Sequence, residues 1–172
     1  MPVKTELTLF DAASRRSASV DQANVTNWFA YDGVGRLTFV TNALGKLTQF
    51  QYDEAGNLTN QVDALSRSTA FEYDSMGRRT KRALPGNQNE TFGYDPSGNL
   101  IRHTNFNGVV ITNQYDVLNR LTNHSSVNGY QISYGYSVTS QRTNMVDASG
   151  TTTYAFDVRD RLTNKQNRVK SQ

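Results

Sequence analysis

Carboxylate side chains recur at a fixed spacing along the chain, a pattern that could in principle hold a row of calcium ions. They are Asp11, Asp32, Asp53, Asp74, Asp95, Asp116 and Asp157, with Ser137 in the remaining place. Calcium requires oxygen ligands that converge at about 2.4 Å from one ion. If each Asp belongs to a separate two-stranded repeat, neighbouring carboxylates lie roughly 10 Å apart. We therefore expect no shared metal site and interpret these residues as turn-capping aspartates.

Two histidines occupy equivalent places in consecutive copies of this spacing. His103 follows Tyr94 by nine residues, and His124 follows Tyr115 by nine. The same two-strand separation places them too far apart to ligate one zinc ion, and the chain has no cysteine to assist them. We expect both histidines to be surface residues.

Other functional classes lack their sequence signatures. The chain contains no cysteine nucleophile, G-x-S-x-G elbow, HExxH motif or phosphate-binding loop, so we predict no enzymatic activity and no cofactor. The net charge of +3 is spread along the length rather than gathered into a patch, which gives no indication of nucleic-acid binding. No apolar run is long enough for a membrane span or for the core of a signal peptide.

Aromatic side chains precede the aspartates and form two columns. The first, called here the tyrosine column, comprises Phe10, Tyr31, Tyr52, Tyr73, Tyr94, Tyr115, Tyr136 and Phe156. The second stands two residues earlier and comprises Phe29, Phe50, Phe71, Phe92, Tyr134 and Tyr154. Phe50, Tyr52, Phe71 and Tyr73 are candidates for stacking against sugar rings. The favoured interpretation is that the rings pack a buried sheet face, and carbohydrate binding stays open as the alternative.

Turn signals divide each 21-residue copy into two short segments. Asp53-Glu54-Ala55-Gly56 is typical of the first turn, and Asn42-Ala43-Leu44-Gly45 of the second. Turns every ten or eleven residues leave about six residues for a strand, which predicts tandem β-hairpins in an antiparallel meander. Alternation places Thr48, Phe50 and Tyr52 on one face, and the same two-residue step places Leu37 with Phe39. An arginine usually follows the first turn, and we expect it to form an exposed, weak ion pair with the Asp.

These residues carry a family resemblance. The string YDGVGRLTFVTNALGKLTQFQYDEAGNLTNQVDALSRSTAFEYDSMGRR closely resembles the YD repeats of bacterial Rhs proteins, of the shell-forming subunits of insecticidal Tc toxin complexes and of teneurin shells. The resemblance implies an all-β fold, a curved antiparallel sheet that forms part of a spiral shell, and a secreted or cell-surface location. It divides the chain into an N-terminal lead (1–6), eight repeats (7–164) and a basic polar tail (165–172). Asp95-Pro96-Ser97-Gly98 resembles a string near the self-cleaving end of Rhs cores, but its phase predicts an ordinary turn.

The length limits what such a sheet can do. Sixteen strands at about 4.8 Å each are too few to enclose a folded protein, so we expect a section of a wall whose partners are further repeats of a longer chain. Unpaired sheet edges predict self-association. The copies at Phe10 and Tyr136 and the final short step depart most from the pattern, so we expect them to be the least regular.

Overall fold

Strands and turns account for the fold of the residues that the structure describes. The structure is a computed structural model in which residues 6–169 are described, and that stretch contains no helix. Most of the predicted lead and the last three residues of the predicted tail lie outside it. The chain divides into two compact units, Met1–Gln88 and Asn89–Gln172.

The first unit is an antiparallel meander in which each strand pairs with the next along the chain. Its strands are β1 (Leu7–Phe10), β2 (Arg16–Val20), β3 (Thr26–Tyr31), β4 (Leu37–Thr41), β5 (Leu47–Tyr52), β6 (Leu58–Val62), β7 (Ser68–Tyr73) and β8 (Arg79–Ala83).

The second unit repeats this arrangement. Its strands are β9 (Asn89–Tyr94), β10 (Leu100–Thr104), β11 (Val110–Tyr115), β12 (Leu121–Ser126), β13 (Gln131–Tyr136), β14 (Arg142–Asp147), β15 (Gly150–Phe156) and β16 (Leu162–Val169). The prediction of an all-β fold built from tandem hairpins is confirmed, and β16 extends into the segment that was assigned to a tail.

The first turn of every copy but one is held by an aspartate. In the turn at Asp32, one carboxylate oxygen accepts hydrogen bonds from the backbone N–H groups of Val34 (3.1 Å) and Arg36 (2.8 Å). Gly35 closes the loop at φ 89°, a left-handed conformation that glycine adopts without steric cost. The turn that begins at Ser137 keeps the same backbone bonds, with Ser137 Oγ replacing the carboxylate. The expected irregularity of that copy is therefore absent from its turn.

A β-bulge follows the first turn of the copies and interrupts the simple alternation. Gln51 is opposite Asn60 whereas Tyr52 is opposite Leu58, so Thr59 has no partner across the pair. Its hydroxyl donates instead to the Gln51 carbonyl at 3.2 Å. A two-versus-one pairing of this kind shifts the facing pattern by one residue.

The bulge overturns one sequence prediction. Leu37 is opposite Tyr31, but Phe39 is opposite Ala30. Partners across an antiparallel pair share a face, so Leu37 and Phe39 lie on opposite faces rather than together. The two-residue step fails there because the bulge lies between them.

The last spacing in the tyrosine column, from Tyr136 to Phe156, is 20 residues instead of 21, and the connection between β14 and β15 is one residue shorter to match. Most second turns resemble the one between Thr104 and Val110, where five residues separate the paired strand ends. Between β14 and β15, Asp147 pairs directly with Gly150, leaving only Ala148 and Ser149 at the tip. The missing residue thus tightens a hairpin, and the pairing of β15 with β16 that follows it keeps the bulge of the other copies, here between Ala155 and Phe156.

Burial differs from the expectation of a packed aromatic face. Within residues 6–169, Ala18 is the only buried hydrophobic residue, and no large side chain is fully buried. The tyrosine-column rings are half-buried, except Phe10, which is 63% exposed. The prediction of a covered core is wrong for this chain, because no second layer of described residues packs over either unit and polar side chains cover the rings instead.

Candidate functional site

Where an arginine follows the first turn, it is anchored to the aspartate of the same turn. Arg36 Nε donates to Asp32 Oδ2 at 2.7 Å, and Arg120 Nε donates to Asp116 Oδ2 at the same distance. Arg15 makes the equivalent contact at 2.8 Å. These ion pairs are partly shielded, since the side chains of Arg36 and Asp32 expose 33% and 23% of their surface. The ion pairs were predicted, but their partial burial was not.

The same arginines also reach the next repeat. Arg36 Nη1 donates to the backbone carbonyl of Asp53 at 2.9 Å, and its guanidinium carbon lies 5.0 Å from the centre of the Tyr52 ring. Arg120 contacts the carbonyl of Ser137 at 3.0 Å and the ring of Tyr136 at 4.8 Å. A cation at this distance from an aromatic ring is attracted to its negative face.

Arg15 makes the third such set of contacts, with the Asp32 carbonyl at 3.3 Å and the Tyr31 ring at 4.8 Å. We call the arrangement of a turn aspartate, its arginine and the tyrosine of the following repeat the Asp–Arg–Tyr bridge. It joins each of these hairpins to the next through side chains, in addition to the strand pairing.

The tyrosine hydroxyls strengthen the same junction. Tyr52 Oη donates to the Leu37 carbonyl at 2.8 Å, and Tyr136 Oη donates to the Leu121 carbonyl at 2.7 Å. The acceptor stands next to the bridging arginine in the preceding repeat. Each ring is therefore fixed at its face by a guanidinium and at its tip by a carbonyl.

The turn carboxylates are held in their charged form. The guanidinium of Arg36 donates to Asp32, and together with the backbone N–H of the same residue it lowers the pKa of Asp32 below its usual value. In the turn at Asp53 the neutral side chain of Asn57 takes the arginine's place, and its hydrogen bond is the main cause that lowers the pKa of Asp53. Hydrogen bonds donated to a carboxylate favour its ionised state.

The second aromatic column is covered in a similar way. Arg16 lies over the ring of Phe29 at 4.7 Å, and Arg142 lies over that of Tyr134 at 4.6 Å. The ring of His103 stacks on Phe92 with a centroid separation of 4.8 Å. Cationic and imidazole side chains thus occupy ring faces that the sequence analysis assigned to aromatic packing.

The four candidate sugar-stacking residues lie in neighbouring repeats. Phe50 and Tyr52 are on β5 and Phe71 and Tyr73 are on β7, and all four are half-buried. Arg36 covers the face of Tyr52, so that ring does not offer an open platform. The carbohydrate alternative gains no support from this geometry.

The histidines are not simple surface residues. His124 is half-buried and contacts Asn113 Oδ1 through Nδ1 at 2.6 Å and the hydroxyl of Tyr130 through Nε2 at 2.7 Å. His103 contacts Glu90 Oε2 at 3.3 Å. Cross-strand neighbours engage both rings, which the linear spacing could not indicate.

Metal and membrane sites were also sought in the described part of the chain. Residues 6–169 hold no cluster of three or more histidine, aspartate or glutamate side chains placed to bind a metal ion. The same stretch has no helix able to cross a lipid bilayer.

The role of arginine as a bridge is the functional feature that the sequence analysis missed. Its signal was present as an arginine 16 residues before the next tyrosine, as in Arg36 and Tyr52 or Arg120 and Tyr136. Recognising it required the lateral order of the strands, because the two residues belong to different hairpins.

Comparison with known families decides the identity of this repeat. Residues 2–172 match the family described as Teneurin YD-shell. The chain belongs to the teneurin YD-shell family. The match spans nearly all of the sequence, so the hairpins and bridges described above are those of a YD-shell segment, and the resemblance to YD repeats is confirmed.

Solved structures share the fold of this YD-shell segment. A crystal structure of TcdB2-TccC3-TEV aligns with a TM-score of 0.77 at 17% identity, covering 96% of this chain and 10% of that chain. A structure of the Photorhabdus luminescens Tc holotoxin pore with the TccC3-D651A mutation aligns with a TM-score of 0.58 at 14% identity, covering 93% of this chain and 12% of that one. The chain thus spans about a tenth of the length of these proteins. Comparison with the curated proteins found no match.

Proposed function

We propose that this YD-shell segment forms part of the wall of a hollow shell in a bacterial Rhs-like surface or secreted polymorphic-toxin protein. The observation that carries the proposal is the Asp–Arg–Tyr bridge, which recurs at Arg15, Arg36 and Arg120. In each bridge the polar side chains of one repeat bind the next hairpin. An assembly in which every unit makes the same contact with the next is suited to an extended wall.

The partners that we propose are further YD repeats of a longer chain. Arg161 supports this inference, because it pairs with Asp157 at 2.7 Å yet its side chain is 70% exposed. At equivalent positions the following repeat supplies the ring that covers the arginine. A further repeat placed after β16 would give Arg161 the contact that Arg120 has with Tyr136.

The way in which the polar residues are used supports a non-catalytic role. The turn aspartates are occupied by backbone N–H groups and by the arginine or asparagine of their own turn, and the tyrosine hydroxyls of Tyr31, Tyr52, Tyr115 and Tyr136 are occupied by carbonyls. Carbohydrate binding by the aromatic rows is the less favoured role, since a sugar would have to displace an arginine such as Arg36.

The test is to image the full-length protein that contains this segment by cryo-electron microscopy. We expect a closed hollow body whose wall includes residues 7–164, and we expect the protein to be recovered from the culture medium or the cell surface. A compact particle with no internal chamber, or a protein without repeats beyond those described here, would contradict the proposal.

A further inference from the structure

Some repeat junctions have another residue in place of the arginine, and one of them is the junction at Asn57. Asn57 stands where Arg36 and Arg120 stand in other copies, and its side chain reaches only Asp53 Oδ2, at 3.0 Å. No described side chain lies over the ring of Tyr73 as Arg36 lies over Tyr52. Within residues 6–169 the hydroxyl of Tyr73 also makes no hydrogen bond, although its equivalent Tyr52 donates to Leu37. The junction between this repeat and the next is therefore open on the tyrosine side.

A groove occupies the vacated space. Its volume is about 860 Å³, and Asn57, Phe71, Tyr73 and Met76 are among the residues that line it. The groove is large enough for a side chain to lie along the ring of Tyr73.

A second asparagine junction shows why this one is open. Asn99 also replaces an arginine, but its amide donates to Asn119 Oδ1 in the next repeat at 2.8 Å. The residue facing Asn57 is Gly77, which has no side chain to meet it. The combination of Asn57 and Gly77 thus leaves the groove unfilled.

The groove presents the groups that an arginine side chain contacts in other repeats. The carboxylate of Asp53 accepts from the neutral amide of Asn57, and no cation among the described residues pairs with it, whereas Asp32 and Asp116 each pair with an arginine. Hydrogen bonds from Asn57 help to hold the pKa of Asp53 low, so the carboxylate is charged at neutral pH. The groove therefore combines an anion, an uncovered aromatic ring and the turn carbonyl of Asp74, the three features that Arg36 contacts one repeat earlier.

We propose that this groove binds the guanidinium group of an arginine side chain supplied by a second polypeptide. The guanidinium would lie over Tyr73, donate to the carboxylate of Asp53 and reach the carbonyl of Asp74, as Arg36 does at Tyr52, Asp32 and Asp53. An ionised carboxylate has lone pairs for a further donor beside Asn57. The proposal depends on residues of one unit and does not require the chain to be a shell wall.

The test is a titration of the protein, with ¹³C-labelled tyrosine, by N-acetyl-arginine amide at fixed ionic strength. Concentrations should extend to about 50 mM, because a single side chain binds weakly. We expect saturable chemical-shift changes at the Tyr73 ring. The isosteric but uncharged citrulline derivative should shift that signal at least tenfold less, since it lacks the positive charge.

Two variants test whether the response of Tyr73 comes from the groove. Asn57→Arg fills the groove with the residue found in other repeats and should abolish the response of Tyr73, whereas Asn99→Arg alters a junction that is already closed and should leave the response unchanged. Circular dichroism would verify that both variants fold. An absent response in the original protein, an equal response to citrulline, or an unchanged response in Asn57→Arg would each overturn the proposal.

Discussion

The bridging arginine of this repeat has three partners. Each partner adds to the free energy of unfolding that would be lost if the arginine were removed. The ion pair with the turn aspartate is the contact that sequence spacing indicates, and an isolated surface pair of this kind contributes little. The stack on a tyrosine and the bond to a backbone carbonyl are added only because the next repeat lies alongside. The contribution of the arginine to stability therefore depends on the repeat beside it in space rather than on the residues next to it in sequence.

Replacement of Arg36 by alanine should lower the free energy of unfolding by about 1–2 kcal/mol, through loss of the stack on Tyr52 and of the bond to the Asp53 carbonyl. Urea titration followed by circular dichroism would measure the loss. Arg67→Ala is the matched control, because Arg67 pairs with Asp63 but is 61% exposed. Equal effects of the two substitutions would show that the inter-repeat contacts contribute nothing.

Acid should destabilise the fold through the turn aspartates. Eight of them, Asp63 included, have a pKa below the usual value in the folded chain. The unfolded chain then binds more protons than the folded chain as the pH falls through this range, so stability is fully present above about pH 5 and is lost toward pH 3. The urea midpoint measured at intervals from pH 6 to 3 should decrease in that window, and a constant midpoint would contradict the assignment of the carboxylates.

At the scale of the hairpin, turn residues decide where each strand ends. The turns close on residues with positive φ, which are glycines in some copies and Ser66 or Asn119 in others. Only the glycines adopt this conformation without a steric cost.

Gly56→Ala should therefore destabilise the protein by about 1 kcal/mol, since Gly56 has φ 89° and the added methyl group would contact nothing within 4 Å. Ser66→Gly, in which the strained residue is the original one, should change stability by less than about 0.5 kcal/mol because relief of strain offsets the added chain entropy. Thermal unfolding of the two variants side by side would measure both effects. A loss in Ser66→Gly as large as that in Gly56→Ala would refute the conformational explanation.

The hairpins were predictable from the sequence because their determinants are local: an Asp and a Gly three residues apart, with strand-length segments between turns. The bulge beside Tyr52 was not predictable, since a bulge is defined by which residues of the partner strand lie opposite. The bridge between Arg36 and Tyr52 was missed for the same reason. Properties that depend on lateral register could not be derived from the order of residues along one strand.

At the scale of the whole molecule, neither unit has a covered core, and the first and last strands, β1 and β16, each have one described partner. β1 pairs with β2 alone among the described residues, and Leu7 and Leu9 on that strand are about half exposed. An exposed apolar edge strand presents unpaired backbone groups to another chain.

We expect the isolated protein to self-associate as its concentration rises, and the double variant Leu7→Lys, Leu9→Lys to associate less because charge on an edge strand disfavours pairing. Sedimentation velocity over a range of concentrations would measure this. Leu44→Lys is the control, since Leu44 is 83% exposed in a turn rather than on an edge. A protein that stays monomeric at high concentration, or a control that suppresses association equally, would refute the role of the edge.

The Asp–Arg–Tyr bridge has a consequence for how such a gene can change. Each bridge requires only an arginine from one repeat and a tyrosine and a carbonyl from the next, so any regular repeat is an acceptable neighbour for any other. In-frame recombination between the DNA segments that encode two regular repeats would then lengthen or shorten the protein without leaving a mismatched junction. Copies without the arginine, such as the one with Asn57, could not form the bridge with a new neighbour, so recombination at those copies would leave a junction without it.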